Sequence, residues 1–288
     1  MADDGDVYEL YRYVPSLPAA LVACVVFALL TIGHIWRMAR SKTWFCIPFI
    51  IGGLFEFIGY IGRCLSHFDK EALGPFIIQS LLILLGPALY AASVYMVLGR
   101  IISALDAERL SLVPARWQTR LFVCGDVLSF LTQMAGGGIQ ASGSLSGMHT
   151  GEKIIIVGLF MQIVFFGVFT ATSLVFNRRI RRHPTTLSTE NRFPWQHLLY
   201  MLYAVSILIL VRSVFRVVEY LQGNAGYLLR HELYLYVFDA VLMALCMAIF
   251  LFYHPSRIHA GRGNANVIPM RDSERLPSKE SDSRAGLV

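Results

Sequence analysis

Charge is scarce in this chain. Only 15% of its 288 residues are Asp, Glu, Lys or Arg, while 56% are hydrophobic; an average soluble domain carries about 25% charged residues. The net charge of +6 does not describe a nucleic-acid surface. No basic face is interleaved with aromatics, and the basic residues gather in short segments between apolar blocks. Cysteine is sparse and unpatterned. Cys24, Cys46, Cys64, Cys124 and Cys246 lie in or at the ends of apolar blocks with no CxxC, so they read as small apolar packing residues.

Several motifs are missing, and each absence removes a class. Without GxxxxGK[ST] the chain has no ATP-driven pump of its own. His67, His149 and His231 fall at span ends, but no HxxxH or HExxH spacing supports a ceramidase-type zinc hydrolase. Span seven has no lysine for a retinal Schiff base. Span three ends Leu98-Gly99-Arg100 rather than Asp-Arg-Tyr, Asn-Pro-x-x-Tyr is absent, and segments 66–74 and 142–152 lack the cysteines of the usual receptor disulfide. No cofactor and no metal is expected. The start, MADDGDVYELYRYVPS, has neither a basic n-region nor a cleavage site, so the first apolar block is expected to stay as an anchor.

Long hydrophobic runs are what the chain does have. A bilayer core needs about 20 apolar residues per helix. Runs of that length occupy 17–36, 44–65, 75–99, 118–141, 153–176, 198–221 and 232–253, with Trp36, Trp44, Trp117 and Trp195 at their ends. The expected fold is all-α: a polytopic seven-transmembrane-helix bundle over 17–253, a tail at 1–16 and a disordered tail at 254–288. Lys and Arg crowd into 37–43, 100–120, 177–197 and the tail after 253, eighteen of the 25 in all; the alternate segments hold only Arg12, Lys70, Lys153 and Arg230. The positive-inside rule then puts the N-terminus outside and the C-terminus in the cytoplasm.

Charges inside such spans are costly and are candidates for function. Span two carries Glu56 and Arg63; span four carries Asp126, Gln133 and Gly136-Gly137-Gly138; span six carries Arg212, Arg216 and Glu219; span seven carries Glu232 and Asp239. Gln79 and Gln162 lie in spans three and five. Arg212, Arg216 and Glu219 stack on one helical face; Glu56 and Arg63, and Glu232 and Asp239, each share one by their seven-residue spacing. At 1.5 Å per residue most of these groups fall in the outer half of the bilayer, with Arg212 and Glu56 near its middle and Asp126 to the cytoplasmic side. They read either as the lining of a cavity or as buried pairs fixing packing, such as Arg216 with Glu219 and Glu56 with Arg63. Gly52-Gly53, Gly59 and Gly62 read as close helix contacts, and Gly86-Pro87 as an interruption of span three that frees a carbonyl and offers a hinge.

The stretches EFIGYIGR (56–63), GPALYAASVYMVLGR (86–100), DVLSFLTQMAGGG (126–138) and RSVFRVVEYLQGNAGYLLRHELYLYVFD (212–239), followed by His254-Pro255, resemble the fungal lipid-translocating exporter family, the RTA-like proteins of aminocholesterol resistance. The resemblance covers roughly residues 10–258 and implies a multi-pass protein of the plasma membrane. It also implies amphiphilic partners: sphingoid long-chain bases, sterol-like amphiphiles or, in one branch, porphyrins. Glu56, Arg63, Gln79, Arg100, Asp126, Gln133, Arg212, Arg216, Glu219, Glu232 and Asp239 match the family's polar positions.

Two functions fit these residues. One is export of amphiphilic lipids, with Glu219, Glu232 and Asp239 meeting a cationic amine and Arg212 and Arg216 keeping those carboxylates ionised. The other is a seven-helix sensor or regulator of lipid stress that moves nothing. Glu56 and Asp126 are the candidate proton carriers. An enzyme is not expected, and the oligomeric state is open.

Overall fold

The computed structural model describes residues 15–69, 72–140, 145–189, 194–222 and 226–255. Nearly all of the two expected tails lies outside them. Among the described residues the chain forms helices and no strand. Seven are long and apolar enough to span a bilayer: α1 (Leu17–Ser41), α2 (Ile47–Phe68), α3 (Leu73–Ala104), α4 (Ala115–Gln140), α5 (Leu145–Arg182), α6 (Trp195–Leu221) and α7 (Glu232–Phe252). The fold is the all-α, multi-pass membrane bundle expected.

Several helices outrun their apolar segments. The 38 residues of α5 extend about 57 Å at 1.5 Å per residue, well beyond the ~30 Å hydrocarbon core. Hydropathy marks where the membrane ends, not where the helix does. The last turn of α5 carries Arg179, Arg181 and Arg182, cations that favour the carbonyl end of a helix.

The helices form a ring in chain order, α7 returning to α1, with α3 drawn inward against α2, α4, α5 and α6. The most apolar window of α3 is 67% buried, the highest share of the seven. Glycines close two seams. A Cβ on Gly52 of α2 would lie 2.8 Å from the Gly86 carbonyl of α3, and one on Gly151 of α5 would lie 2.5 Å from the Gly136 carbonyl of α4. Of the triple glycine only Gly136 belongs to that seam; Gly137 and Gly138 face open space.

The outer faces are apolar. Leu21, Val25, Leu29 and Ile32 line α1, Leu128 and Leu131 line α4, and Val157, Val164 and Val168 line α5, all exposed as a lipid-facing surface requires. Trp36, Trp44 and Trp117 are exposed as well, whereas Trp195 is buried and donates its indole N–H to the Ser188 carbonyl at 3.3 Å. Trp195 is therefore a core residue, not an interfacial anchor.

Gly86-Pro87 does not break α3, which runs unbroken from Leu73 to Ala104. The proline removes one N–H, the donor that the Ile83 carbonyl four residues back would have used. A side chain from another helix supplies the replacement.

Candidate functional site

Three helices present their polar residues to one interior region. On α2, Glu56, Tyr60 and Arg63 share a face by their spacing of four and three. On α6, Arg212, Arg216 and Glu219 do the same. On α7, Glu232, Tyr236 and Asp239 repeat the spacing, but Tyr236–Val241 forms a π-helical turn. Such turns absorb an extra residue, re-aim side chains and recur at functional sites. Here Glu232 stays at the rim while Asp239 is buried between two arginines.

The rim is the end of the bundle where α1 and α7 begin. The Arg63 guanidinium donates through Nη2 to Glu232 Oε1 at 2.7 Å and through Nε to the Tyr236 hydroxyl at 3.1 Å. It also lies over the Tyr236 ring, 5.3 Å from its centroid. Both Glu232 oxygens accept the Ser16 backbone N–H at 2.9 Å, which ties the start of α1 to the start of α7. His67 Nδ1 lies 2.7 Å from the Pro15 carbonyl beside it.

Deeper in, Asp239 accepts from two guanidiniums. Arg212 Nε donates to Oδ1 at 2.6 Å and Arg216 Nη2 donates to Oδ2. Arg216 Nη1 also donates to Glu219 Oε2 at 2.9 Å, the pair that their spacing predicted. Arg212 Nη2 donates to the Ile83 carbonyl at 2.8 Å. This is the acceptor that Pro87 leaves free, so a charge from α6 completes the backbone of α3. The side chains of Arg212 and Asp239 are both 0% exposed, and burying them is tolerable because each charge faces an opposite one and both carboxylate oxygens accept a guanidinium N–H.

Glu56 differs from the other carboxyls. The expected pair with Arg63 does not form: seven residues separate the two along α2, about 10 Å of rise, and Glu232 reaches Arg63 from α7 instead. Glu56 is 1% exposed, and neither of its oxygens has a hydrogen-bond partner. A Cβ on Gly86 would lie 2.7 Å from Glu56 Oε1, so the absence of a side chain there makes its niche. It lies within electrostatic reach of Asp239, Arg212 and Arg216. The Tyr60 and Tyr90 hydroxyls, Arg212 Nη1 and Arg216 Nε are likewise buried without partners. Three arginines face four carboxyls in this region, and Glu56 is the carboxyl left over.

A second polar group lies between α3, α4 and α5. The Tyr95 hydroxyl donates to Asp126 Oδ2 at 2.9 Å, and Gln133 Nε2 donates to Gln162 Oε1 at 3.2 Å. Phe122, Phe166 and Phe169 enclose the Tyr95 ring at centroid distances of 4.4–5.9 Å. Gln79 packs against Gly62 of α2. Of the sequence-derived candidates, Glu56, Arg63, Arg212, Arg216, Glu219, Glu232 and Asp239 thus share one region, and Asp126 and Gln133 belong to another. The sequence reading missed Tyr60 and Tyr236, although each lies four residues after a singled-out glutamate. The Ser16 amide and the π turn carry no comparable sequence signal. Among the described residues no cluster of three or more His, Cys, Asp and Glu is arranged to hold a metal ion.

Just past α7, at the opposite end of the bundle, His254 is 3% exposed and neither ring nitrogen has a partner. Burial, with smaller contributions from His34 and Arg37, pushes its imidazole down to about 4.

A family model described as "RTA1 like protein" matches residues 49–262, a span that contains both polar groups. This chain belongs to the RTA1-like family. Among curated relatives, the baker's yeast protein named Protein RTA1 is 37% identical, over 98% of this chain and 97% of its own length. Protoporphyrin uptake protein 1 of the same species is 36% identical over 87% of this chain and 93% of its own. The yeast sphingoid long-chain base transporter RSB1 is 27% identical over 92% of this chain and 78% of its own. No solved structure matches the chain. Of these three relatives, two carry a transport role in their names, one for protoporphyrin uptake and one for sphingoid long-chain bases.

Proposed function

We propose that this protein exports amphiphilic lipids, sphingoid long-chain bases or sterol-like amphiphiles, and so confers tolerance to them. The observation that supports the reading best is the column of charge from Glu232 at the rim, through Glu219 and Asp239, to the unpartnered Glu56. Charges at membrane depth default to substrate or ion pathways. Orientation with the rim outside, and residence in the plasma membrane, belong to the same proposal.

A long-chain base joins a cationic amine and hydroxyls to an alkyl chain. In this reading the tail stays in lipid while the amine exchanges with arginines along the column. Glu232 is the entry carboxylate, being 16% exposed. An amine that replaces Arg216 at Glu219 keeps that carboxylate paired while Arg216 retains Asp239, which avoids the penalty of a bare buried charge. Glu56, and separately Asp126, are the carboxyls able to carry a coupling proton.

The test is flux of labelled long-chain base in vesicles containing only the purified protein. Flux is expected, and Glu219→Gln or Asp239→Asn, which keeps an acceptor for the arginines, should abolish it, together with tolerance in cells, while surface expression persists. Unchanged tolerance in both variants would remove the carboxylates from the mechanism. A folded protein without flux would favour the sensor or regulator.

A further inference from the structure

The five cysteines are all free, and among the described residues one pair of thiols touches: Cys24 Sγ on α1 lies 4.0 Å from Cys64 Sγ on α2. Cys24 is seven residues from the start of α1 and Cys64 four from the end of α2, about 10 Å and 6 Å of rise below the rim. The two sites are unequal. Cys24 is buried, whereas Cys64 is partly exposed, beside the lipid-facing Ile61 and Leu65. An apolar reagent arriving through the bilayer therefore meets Cys64 first, with Cys24 directly behind it.

A disulfide needs an S–S distance of about 2.05 Å, so the sulfurs must approach by about 2 Å. Rotation of the two side chains about their Cα–Cβ bonds is the motion that shortens this gap.

We propose that Cys24 and Cys64 are a redox modification site, forming a reversible disulfide between α1 and α2 when a membrane-soluble hydroperoxide reaches Cys64. The Cys64 sulfur attacks the terminal oxygen of R–O–O–H. The O–O bond breaks, R–OH leaves with the thiol proton, and Cys64 becomes a sulfenic acid. The Cys24 sulfur then attacks the sulfenic sulfur, the S–S bond forms, and the hydroxyl leaves with the Cys24 proton as water. Two thiols and one hydroperoxide give one disulfide, one alcohol and one water; the two electrons lost by sulfur reduce the peroxide. The cross-link joins the helix that begins just after the Ser16 amide bound by Glu232 to the helix that carries Arg63, and so ties together two sides of the rim clamp.

The test uses the full-length protein in membrane vesicles, treated with increasing cumene hydroperoxide until the exposed Cys124 is oxidised. Alkylation, non-reducing digestion and mass spectrometry then follow. The expected product is the Cys24 peptide linked to the Cys64 peptide, released by a thiol reductant. Cys24→Ser should leave Cys64 trapped by dimedone as the sulfenic acid. Recovery of Cys24 and Cys64 as separate alkylated peptides, or Cys64 oxidised without linkage to Cys24, overturns the proposal; the unsubstituted protein alone decides it.

Discussion

The region between α2, α6 and α7 holds three arginines and four carboxyls in a web of charged contacts, while the region between α3, α4 and α5 holds one carboxyl, a tyrosine and two amides. Both are largely buried, Glu232 at the rim of the first being the more exposed. Each includes a helix joined to a neighbour by a close glycine contact, Gly52 with Gly86 and Gly136 with Gly151. In the first, every arginine bonds at least one carboxylate, and Arg212 also repairs the helix that Pro87 would weaken. In the second, the bonds join a tyrosine to a carboxyl and one amide to another, and neither bond involves an arginine. Losing a partner in the first region exposes a bare charge; in the second it costs little more than a hydrogen bond. The first region is therefore the one whose charges must keep their partners together.

The sharpest break of this contrast is Arg212→Ala against Asp126→Asn. Arg212→Ala should cost about 3–5 kcal/mol, the cost of stranding one member of a buried pair. Asp126→Asn keeps an acceptor for Tyr95 and should cost about 1 kcal/mol or less. Thermal unfolding of the purified protein in detergent reads both, and equal losses would erase the distinction. Pro87→Ala sharpens it further. It restores an N–H for the Ile83 carbonyl, so Arg212→Ala should be milder in that background by about 1 kcal/mol, one hydrogen bond.

The glycine seams should respond alike in the two regions. Gly52→Ala and Gly151→Ala each drive a Cβ into a backbone carbonyl, at 2.8 and 2.5 Å, and should lose about 1–3 kcal/mol each by overpacking. Gly137→Ala, in open space on the same helix as Gly136, should be neutral or gain up to about 1 kcal/mol from helix propensity. The same melting assay ranks all three.

A pH-dependent effect lies outside both regions. His254 titrates near 6.5 in the unfolded chain but is held down to about 4 in the folded one. Between those values the unfolded chain binds the extra proton, so stability is complete above about pH 6.5 and declines as pH falls towards 4. His254→Asn should flatten the fall in melting temperature between pH 7 and pH 5. An unchanged slope would show that the imidazole is not held neutral by the fold.

Much of this was legible in the residues. The pair Arg216–Glu219 follows from a three-residue spacing, and the freed carbonyl at Ile83 follows from Pro87. The partner of Arg63 did not follow: Glu56 shares its helix face, but Glu232, 169 positions away, is the residue within reach. Asp239 was legible as a buried charge, yet its service to two arginines depends on helix packing and on a π turn that periodicity does not reveal.

The sequence by itself determined seven membrane-spanning helices and which side chains would be costly inside them. Run length, hydropathy and helical spacing are local properties, and each helix satisfies its own backbone in lipid. Tertiary structure decided the pairing: which carboxylate each arginine holds, which carboxyl is left without a donor, and which two of five thiols touch. Those outcomes depend on distances of a few ångströms between helices far apart in the chain, and no spacing within one helix encodes them.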